Sequence, residues 1–335
     1  MIVTQDASNG PLTVIDFHVH IRPPWWRAPR PIATNTRDAA WQAAWVSKLT
    51  APEALLRESA EAGVALNLLS STIEGISGIR GPVDHDEVRR HNDYLAELAA
   101  AHPGRLAALA AVDAFSGEAA ALEAERAIRE LGHVGIVIDS ARNGVYAGHP
   151  STRPVFEAAD RLGVPILVHP VAAETTEALT RSAGRPGNSF GRGHVNGTAF
   201  LTVLENGIVE QYPDLDLVFT GIGLGALVIA AAELPQYSLT ARERGIARPR
   251  IHFDFMGLDP AVLAFAVSVL GVDRVLVGSD WPICEPVTHA RLSAVFEAAG
   301  VAGADRRKIA SGNAQRILAR RADVARRERE LTSDG

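Results

Sequence analysis

Short runs of aliphatic and β-branched residues alternate along the chain with longer, alanine-rich segments in which apolar residues recur at helical spacing. The runs predict eight buried strands, over 13–19, 64–70, 105–112, 134–139, 164–169, 215–221, 250–255 and 272–279. The segments between them predict helices over 52–62, 87–101, 118–131, 154–162, 198–211, 261–270 and 287–299. Eight strands alternating with helices favour a parallel sheet closed into a (β/α)₈ TIM barrel. The alternative is a doubly wound open sheet, but no glycine-rich phosphate turn follows its first strand.

Two predicted connections are much longer than the usual strand-to-helix loop, and loops of that length are typical of functional segments. The first, 21–50, holds four of the five tryptophans, and the second, 170–196, is rich in glycine and arginine and contains His194. We expect a single domain with a core over 12–319. The charged residues 320–335 are expected to form a frayed, solvated helical tail.

Composition narrows the class of protein. The 335 residues are 47% apolar and carry a net charge of −6, which is typical of a soluble globular protein with a large core. Thirty-three basic residues against thirty-nine acidic ones give no nucleic-acid footprint and no polybasic membrane patch. No apolar run approaches the ~20 residues of a membrane span. The single cysteine, Cys284, and an N-terminus without a signal pattern favour a cytoplasmic location.

The first predicted strand ends in Asp16-Phe17-His18-Val19-His20. Residues i and i+2 of a strand point to the same face, so His18 and His20 are expected side by side. Neutral imidazole is a favoured ligand of zinc and related metals, and the pair is therefore half of a candidate metal site. The alternative is two strand histidines that make ordinary hydrogen bonds.

Two further strands end in residues that could complete this site. His169 follows the apolar run of the fifth strand, and Asp280 follows that of the eighth. His20 and His169 are 149 residues apart, and His169 and Asp280 are 111 apart, which is about 37 residues for each strand–helix unit in both intervals. Because barrel strands end at one mouth, three imidazoles and one carboxylate can meet there around a divalent metal with an open position. Unrelated polar residues at strand ends are the remaining alternative.

At this point the chain resembles the amidohydrolase superfamily, in the branch typified by 2-amino-3-carboxymuconate-6-semialdehyde decarboxylase. The resemblance runs from Ile15 to Leu318. The motifs that carry it are Asp16–His20, Asn92-Asp93, Val168-His169-Pro170, Gly207–Leu215, Gly278-Ser279-Asp280-Trp281-Pro282 and Gly312–Leu318.

The resemblance implies one divalent metal held by His18, His20, His169 and Asp280, with Zn²⁺ as the first expectation and Mn²⁺ as the alternative. Binuclear relatives use a carboxylated lysine at the end of strand 4, and neither Lys48 nor Lys308 ends a predicted strand. It also implies a homodimer and a small anionic substrate. The implied reaction is non-oxidative decarboxylation of an aromatic or unsaturated acid. The alternative reaction is hydrolysis of a cyclic amide, lactone or related bond.

One departure from the branch concerns the sixth strand, where relatives have a histidine and this chain has Gly221. Three hypotheses follow. Asp280 acts as the acid or base, since an aspartate beside a metal can do so. His194 swings in from the long loop, although an exposed loop histidine is the plainer interpretation. In the third, the protein has lost the chemistry and only binds its ligand.

The first long loop supplies the substrate-binding candidates. Trp25 and Trp26 could stack on a flat ring and Arg27 could bind a carboxylate, with Arg22 and Arg30 nearby. Tryptophan and arginine are also enriched at protein interfaces, which leaves an interface loop as the alternative. At the end of the fourth strand, Arg142 and Asn143 are weaker candidates for the same mouth.

Overall fold

Eight parallel strands form the barrel that the alternation predicts. The protein is seen here as a computed structural model that describes residues 12–27, 36–234, 236–237, 249–255 and 259–333. Each strand pairs in parallel with the next one along the chain. The strands are β1 (Val14–His20), β2 (Val64–Ser70), β3 (Leu106–Ala111), β4 (Gly135–Asp139), β5 (Ile166–His169), β6 (Leu217–Phe219), β7 (Ile251–Asp254) and β8 (Val275–Leu276).

Hydrogen bonds between β1 and the segment that follows β8 close the barrel. The Phe17 N–H donates to the Val277 carbonyl at 2.9 Å, and the His20 N–H donates to the Trp281 carbonyl at 2.8 Å. A parallel bridge joins Val19 to Trp281 between them. The predicted TIM barrel is therefore confirmed, and the last segment continues beside β1 although β8 itself is short.

Helices surround the barrel, and within the described ranges none is long and apolar enough to cross a bilayer. Their bounds are α1 (Thr36–Lys48), α2 (Pro52–Ala62), α3 (Ile73–Ser77), α4 (His85–Ala101), α5 (Glu118–Arg129), α6 (Arg153–Leu162), α7 (Glu174–Glu205), α8 (Ile208–Gln211), α9 (Gly225–Glu233), α10 (Pro260–Leu270), α11 (His289–Ala298), α12 (Ala304–Arg307) and α13 (Asn313–Ser333).

The strands are buried on both faces, which explains their continuous apolar sequence. Val137, Leu167 and Val218 belong to one core cluster inside the barrel, whereas Ile138 and Val168 belong to a second cluster beneath the helices. These alternate positions fill the interior of the barrel and the layer around it. The packed interior gives the residues at the strand ends a rigid support.

The prediction of a loop over 21–50 is wrong in its second half, because α1 occupies Thr36–Lys48. This helix places Trp41 and Trp45 at i and i+4, where their rings meet edge to face with centroids 5.8 Å apart. Residues i and i+4 lie on one helix face, so α1 directs both indoles to the same side.

The prediction of a loop over 170–196 is also wrong, because α7 runs from Glu174 to Glu205. The helix bends at Gly184, whose backbone is left-handed (φ 61°), and contains Pro186. Its glycines are needed for close packing. A Cβ at Gly191 would lie 2.6 Å from the Thr176 Cα, and one at Gly193 would overlap the Ile222 carbonyl in the turn after β6. Tertiary packing thus overrides the poor helix propensity of this segment.

Arg320 and Arg321, at the start of the expected tail, contact neighbouring helices of the barrel. In α13, Arg320 donates to the Asp160 carboxylate at 2.6 Å, and Arg321 donates to the carbonyls of Ile128 (2.6 Å) and His133 (2.7 Å). Both arginines therefore fasten the helix to α6 and to the end of α5.

Candidate metal centre

Four side chains from three strand ends converge at the mouth of the barrel. The ligand atoms of His18, His20, His169 and Asp280 all lie within 4.8 Å of one another. The His20 Nε2 is 3.1 Å from the Nε2 atoms of both His18 and His169, and the Asp280 Oδ1 is 3.2 Å from it. The three imidazole planes are nearly perpendicular to one another, at 83–88°. The four predicted ligands are thus brought together.

Backbone contacts between β1 and the last segment of the barrel position Asp280. Its N–H donates to the His18 carbonyl at 2.9 Å, and its φ of 60° lies in the left-handed region, which is rare for a residue with a side chain. The buried Asp16 carboxylate accepts the N–H of the neighbouring Ser279 at 2.9 Å. Burial raises the pKa of Asp16 to about 6, against the lowering effect of its hydrogen bonds with Ser279. This strained backbone is typical of functional positions.

Hydrogen bonds at the Nδ1 atoms, on the far side of the ring from the metal site, orient two of the three imidazoles. The His18 Nδ1 is 2.9 Å from the Asp254 Oδ2, and the His20 Nδ1 is 2.9 Å from the Ser70 Oγ. Both contacts leave the Nε2 atoms directed at the common centre, as ligand-supporting groups do in metal sites. The His169 Nδ1 is buried without a hydrogen-bond partner among the described residues.

The electrostatics of the cluster differ from one histidine to the next. Burial disfavours the charged form of His18, but the Asp254 and Asp280 carboxylates outweigh it and raise its pKa to about 9. Burial lowers the pKa of His20 to about 4, partly offset by its hydrogen bond with Asp280. Burial and the neighbouring imidazoles of His20 and His18 keep the pKa of His169 well below its ordinary value. The lowered pKa values of His20 and His169 favour their neutral form, in which imidazole binds a metal.

The donor set fits one divalent metal. Three nitrogens and one carboxylate oxygen suit zinc and related first-row ions. The Nε2 atoms of His18 and His169 lie 3.1 Å from the His20 Nε2, and the Asp280 Oδ1 lies 3.2 Å from it, so the four donor atoms surround one point. The cluster is therefore a site for one divalent metal ion.

Asp254 is the positioning residue that the sequence prediction missed. It is fully buried at the end of β7, and besides orienting His18 its Oδ1 accepts the Gly221 N–H at 2.8 Å. A Cβ at Gly278 would lie 2.8 Å from the Asp254 Cβ, so position 278 leaves room for this carboxylate. The sequence feature that could have identified Asp254 is the position of its carboxylate near the end of a predicted strand.

Replacing Asp254 by asparagine should weaken metal binding by about 10- to 100-fold, because His18 loses the charge that fixes its orientation and basicity. Competition with a chromophoric chelator measures this affinity. The exposed Asp214→Asn is the matched control and should bind as the parent protein does. Equal affinity in Asp254→Asn and Asp214→Asn would contradict the positioning role.

A cavity of about 290 Å³ opens above the metal ligands. Its floor includes His20, His169 and Asp280, and its walls come largely from the segments after β1, β2 and β5. The other lining residues are Arg22, Trp26, Asp38, Trp41, Gln42, Trp45, Val46, Leu49, Thr72, Glu74, Gly75, Pro170, Thr180, Arg185, Asn188, Ser189, Arg192, Ile222, Ile283 and Cys284.

Comparison with known proteins agrees with this geometry. A family model described as amidohydrolase matches residues 15–320. The chain belongs to the amidohydrolase family. As a member with the metal ligands in place, it is a metal-dependent enzyme of that superfamily.

Similar proteins are known in both sequence and structure. Gamma-resorcylate decarboxylase of Polaromonas sp. is 27% identical over 277 residues, which are 77% of this chain and 84% of the relative. The 2-amino-3-carboxymuconate-6-semialdehyde decarboxylase of Dictyostelium discoideum is 23% identical over 80% of this chain and 81% of its own. A crystal structure of dihydroxybenzoic acid decarboxylase from Polaromonas sp. JS666, with bound manganese and 2-nitroresorcinol, has a TM-score of 0.71. It is 23% identical and covers 92% of this chain and 97% of its own.

The amidohydrolase cavity contains only one of the four predicted substrate-binding residues. Trp26 lines it, with its indole N–H donated to the Gly75 carbonyl at 2.7 Å. Trp25 lies outside, where its ring stacks beneath Arg90 and its N–H donates to Glu87. Arg27 folds back onto the carbonyls of Pro24, Trp25 and Trp26.

Three other candidates, Arg142, Asn143 and His194, are not among the residues that line the cavity. Arg142 is buried and donates to the carbonyls of Gly78 (2.9 Å) and Gly81 (3.0 Å), so it holds the loop after α3. His194 lies on an exposed position of α7. Asn143 adopts a left-handed turn (φ 50°), and Arg30 lies outside the described residues.

Sequence reasoning missed an ion pair at the cavity wall. The Arg192 guanidinium donates to both oxygens of Glu74, at 2.7 and 2.8 Å, and also to the Pro170 carbonyl at 3.1 Å. Together these bonds fasten α7 to α3 beside the metal ligand His169. Cys284 also lines the cavity, and burial together with the Asp280 charge raises the pKa of its thiol to about 11. It is therefore a protonated thiol.

Proposed function

We propose that this enzyme removes CO₂ from a small aromatic carboxylic acid without oxidation. The observation that carries the proposal is a three-histidine, one-carboxylate metal cluster at the floor of a cavity walled by Trp26, Trp41 and Trp45. Indole faces suit a flat ring, and a volume of about 290 Å³ suits a single substituted ring. The decarboxylases among its relatives support the same reaction.

The proposed reaction needs one proton and no redox partner. The ring carbon that bears the carboxylate takes a proton, the bond to the carboxylate carbon breaks, and CO₂ leaves. The electron pair of the broken bond stays on the ring. The bound metal supplies Lewis-acid chemistry by drawing electron density from a substrate oxygen.

Asp280 is the residue that we assign to the proton transfer. It lines the cavity, and its Oδ1 faces His20 and His18 at 3.2 and 3.5 Å, which leaves Oδ2 for the substrate side. In its acid form it gives the proton to the ring carbon, and its carboxylate then regains a proton from the solvent, which supplies the one proton that each turnover consumes. Gly221 carries no side chain, so Asp280 has no competing group from that position.

For the metal we propose Zn²⁺ or Mn²⁺. Three imidazole nitrogens and one carboxylate oxygen can bind either ion, and by the Irving–Williams order they bind zinc more tightly than manganese. The manganese bound in the dihydroxybenzoic acid decarboxylase supports the second ion. Metal analysis of the purified protein, followed by reloading with each ion, separates the two.

A cytoplasmic homodimer acting on an anionic small molecule completes the proposal. Exposed apolar side chains on α9 and α10 support self-association, since Val228 and Ile229 are 55% and 51% exposed and Val262 is 37% exposed. The single cysteine is compatible with a reducing compartment.

The test is CO₂ release from a panel of hydroxybenzoates, gamma-resorcylate included, and muconate-like acids. We expect stoichiometric CO₂ and the ring product without the carboxylate. Lactones and cyclic amides in the same panel report the hydrolytic alternative, and ring opening without CO₂ would favour it. Saturable binding without any turnover would instead favour a ligand-binding protein.

A further inference from the structure

Arg22 is a buried arginine in the cavity wall with few partners. It follows β1 by two residues, is only 5% exposed and lines the cavity. Its Nη2 donates to the Thr72 Oγ1 at 3.1 Å. Its Nε and Nη1 are buried and have no hydrogen-bond partner among the described residues. A buried guanidinium with unused donors is costly unless an acceptor is supplied.

Asp139 and Glu74, the two carboxylates whose charges act on Arg22, have other partners. Asp139 accepts the backbone N–H groups of Ile73 and Glu74, at 3.1 and 2.7 Å. Glu74 is paired through both oxygens with Arg192. Within the described part of the chain, Arg22 has no ion pair within the 4.0 Å that such a contact requires. Its positive charge therefore faces the cavity without a dedicated counterion.

The other arginines of this region are committed to other contacts. Arg192 pairs with Glu74, Arg142 donates to two carbonyls, and the exposed Arg27 donates to three. Arg185 lies over the Trp41 ring, 4.5 Å from its centroid. Arg22 thus differs from them in combining burial, a place in the cavity wall and unpartnered donors.

Two more observations indicate that this wall is shaped for a ligand. The indole N–H of Trp45, another cavity residue, is buried and also has no partner in the described ranges. A side chain at Gly75 would overlap the Arg22 Nη2, so position 75 leaves room for the guanidinium. Gly75 lies in α3 and not in a left-handed turn, so its role is space rather than backbone geometry.

We propose that Arg22 binds the carboxylate of the substrate, so that the enzyme prefers an acid over its uncharged analogue. This inference rests on the proposed function only for the identity of the acid. A carboxylate supplies the acceptors that the guanidinium lacks. Once CO₂ has left, the product has no group for Arg22, and its release is favoured. Arg22 is therefore expected to set the affinity for the acid and to have a smaller effect on kcat.

Calorimetric titration of the metal-loaded protein with benzoate and with benzamide tests the proposal, because the probes differ in charge and hardly in shape. Arg22→Gln should lose about 10- to 100-fold in benzoate affinity and less than about twofold in benzamide affinity. Gly75→Ala displaces the guanidinium and keeps its charge. Like Arg22→Gln, it should weaken the binding of benzoate much more than the binding of benzamide. Gly225→Ala, at a glycine with open space around it, is the matched control.

Three results would overturn the assignment. Equal loss of both probes in Arg22→Gln would indicate a packing role, and unchanged benzoate affinity would exclude the contact. If Arg27→Gln weakened the binding of benzoate and left that of benzamide unchanged, the carboxylate would be assigned to Arg27, as the sequence predicts. Preference for benzoate without CO₂ release from any hydroxybenzoate would contradict the proposed function alone, so the two failures are distinguishable.

Discussion

Asparagine in place of Asp280 should lower the rate of CO₂ release by about 100- to 10,000-fold, the range that general acid catalysis contributes. The amide cannot carry the proton to the ring carbon. It still offers an oxygen to the metal, and the three imidazoles remain in place. The measurement is kcat for the hydroxybenzoate that the substrate panel identifies, together with the metal content of each preparation, so that loss of proton transfer is separated from loss of the ion.

Two further variants separate a role in proton transfer from other effects of the substitution. Asp305→Asn changes a half-exposed carboxylate that pairs with Lys308 and does not line the cavity, and it should leave kcat unchanged. His194→Ala tests the competing hypothesis of a histidine that moves in from α7. Full turnover in Asp280→Asn, or a loss of this size confined to His194→Ala, would move the proton transfer to His194.

Removal of the metal should abolish CO₂ release and lower the melting temperature by several degrees. The bound ion stabilises the folded state by up to about 4 kcal/mol at 1,000 times its dissociation constant. It also gives the closely spaced, buried nitrogens of His18, His20 and His169 a common partner. Dialysis against a chelator, followed by activity and thermal-unfolding measurements, checks both effects.

Reloading with Zn²⁺ or Mn²⁺ should restore activity and melting temperature together in the parent protein. His169→Ala, which removes one ligand, should not recover under the same conditions. His85→Ala, on the outer helix α4, is the control for the substitution itself. Full activity in protein that retains no metal would contradict a metal-dependent mechanism.

The barrel and its metal ligands were predictable from the sequence because both depend on short-range patterns. Parallel strands buried on two faces have continuous apolar sequences, and the structure confirms all eight strands within a few residues of their predicted bounds. His169 and Asp280 could be recognised because each ends such a run. The spacing between them then placed them at one mouth.

The cavity wall was not predictable in the same way, because it depends on contacts between distant segments. In the sequence Arg192 is one of several arginines in a glycine-rich stretch, and only the folded chain pairs it with Glu74, 118 positions away. The sequence favours Arg27 as a carboxylate ligand because it lies close to the metal motif, yet in the fold its guanidinium donates to three carbonyls of its own turn. Asp254 ends a predicted strand but matches no local motif.

The glycines of α7 have a consequence for the range of substrates. Gly193 lets the helix rest directly on the turn after β6, and Gly191 lets its two arms lie together. A larger side chain at either position would press on these neighbours and displace the part of α7 that carries the cavity residues Asn188 and Arg192. The space above the metal that a substrate ring can occupy therefore depends on two glycines that do not line the cavity. Substitutions at these glycines could change which substrates are accepted while every residue that contacts the substrate stays the same.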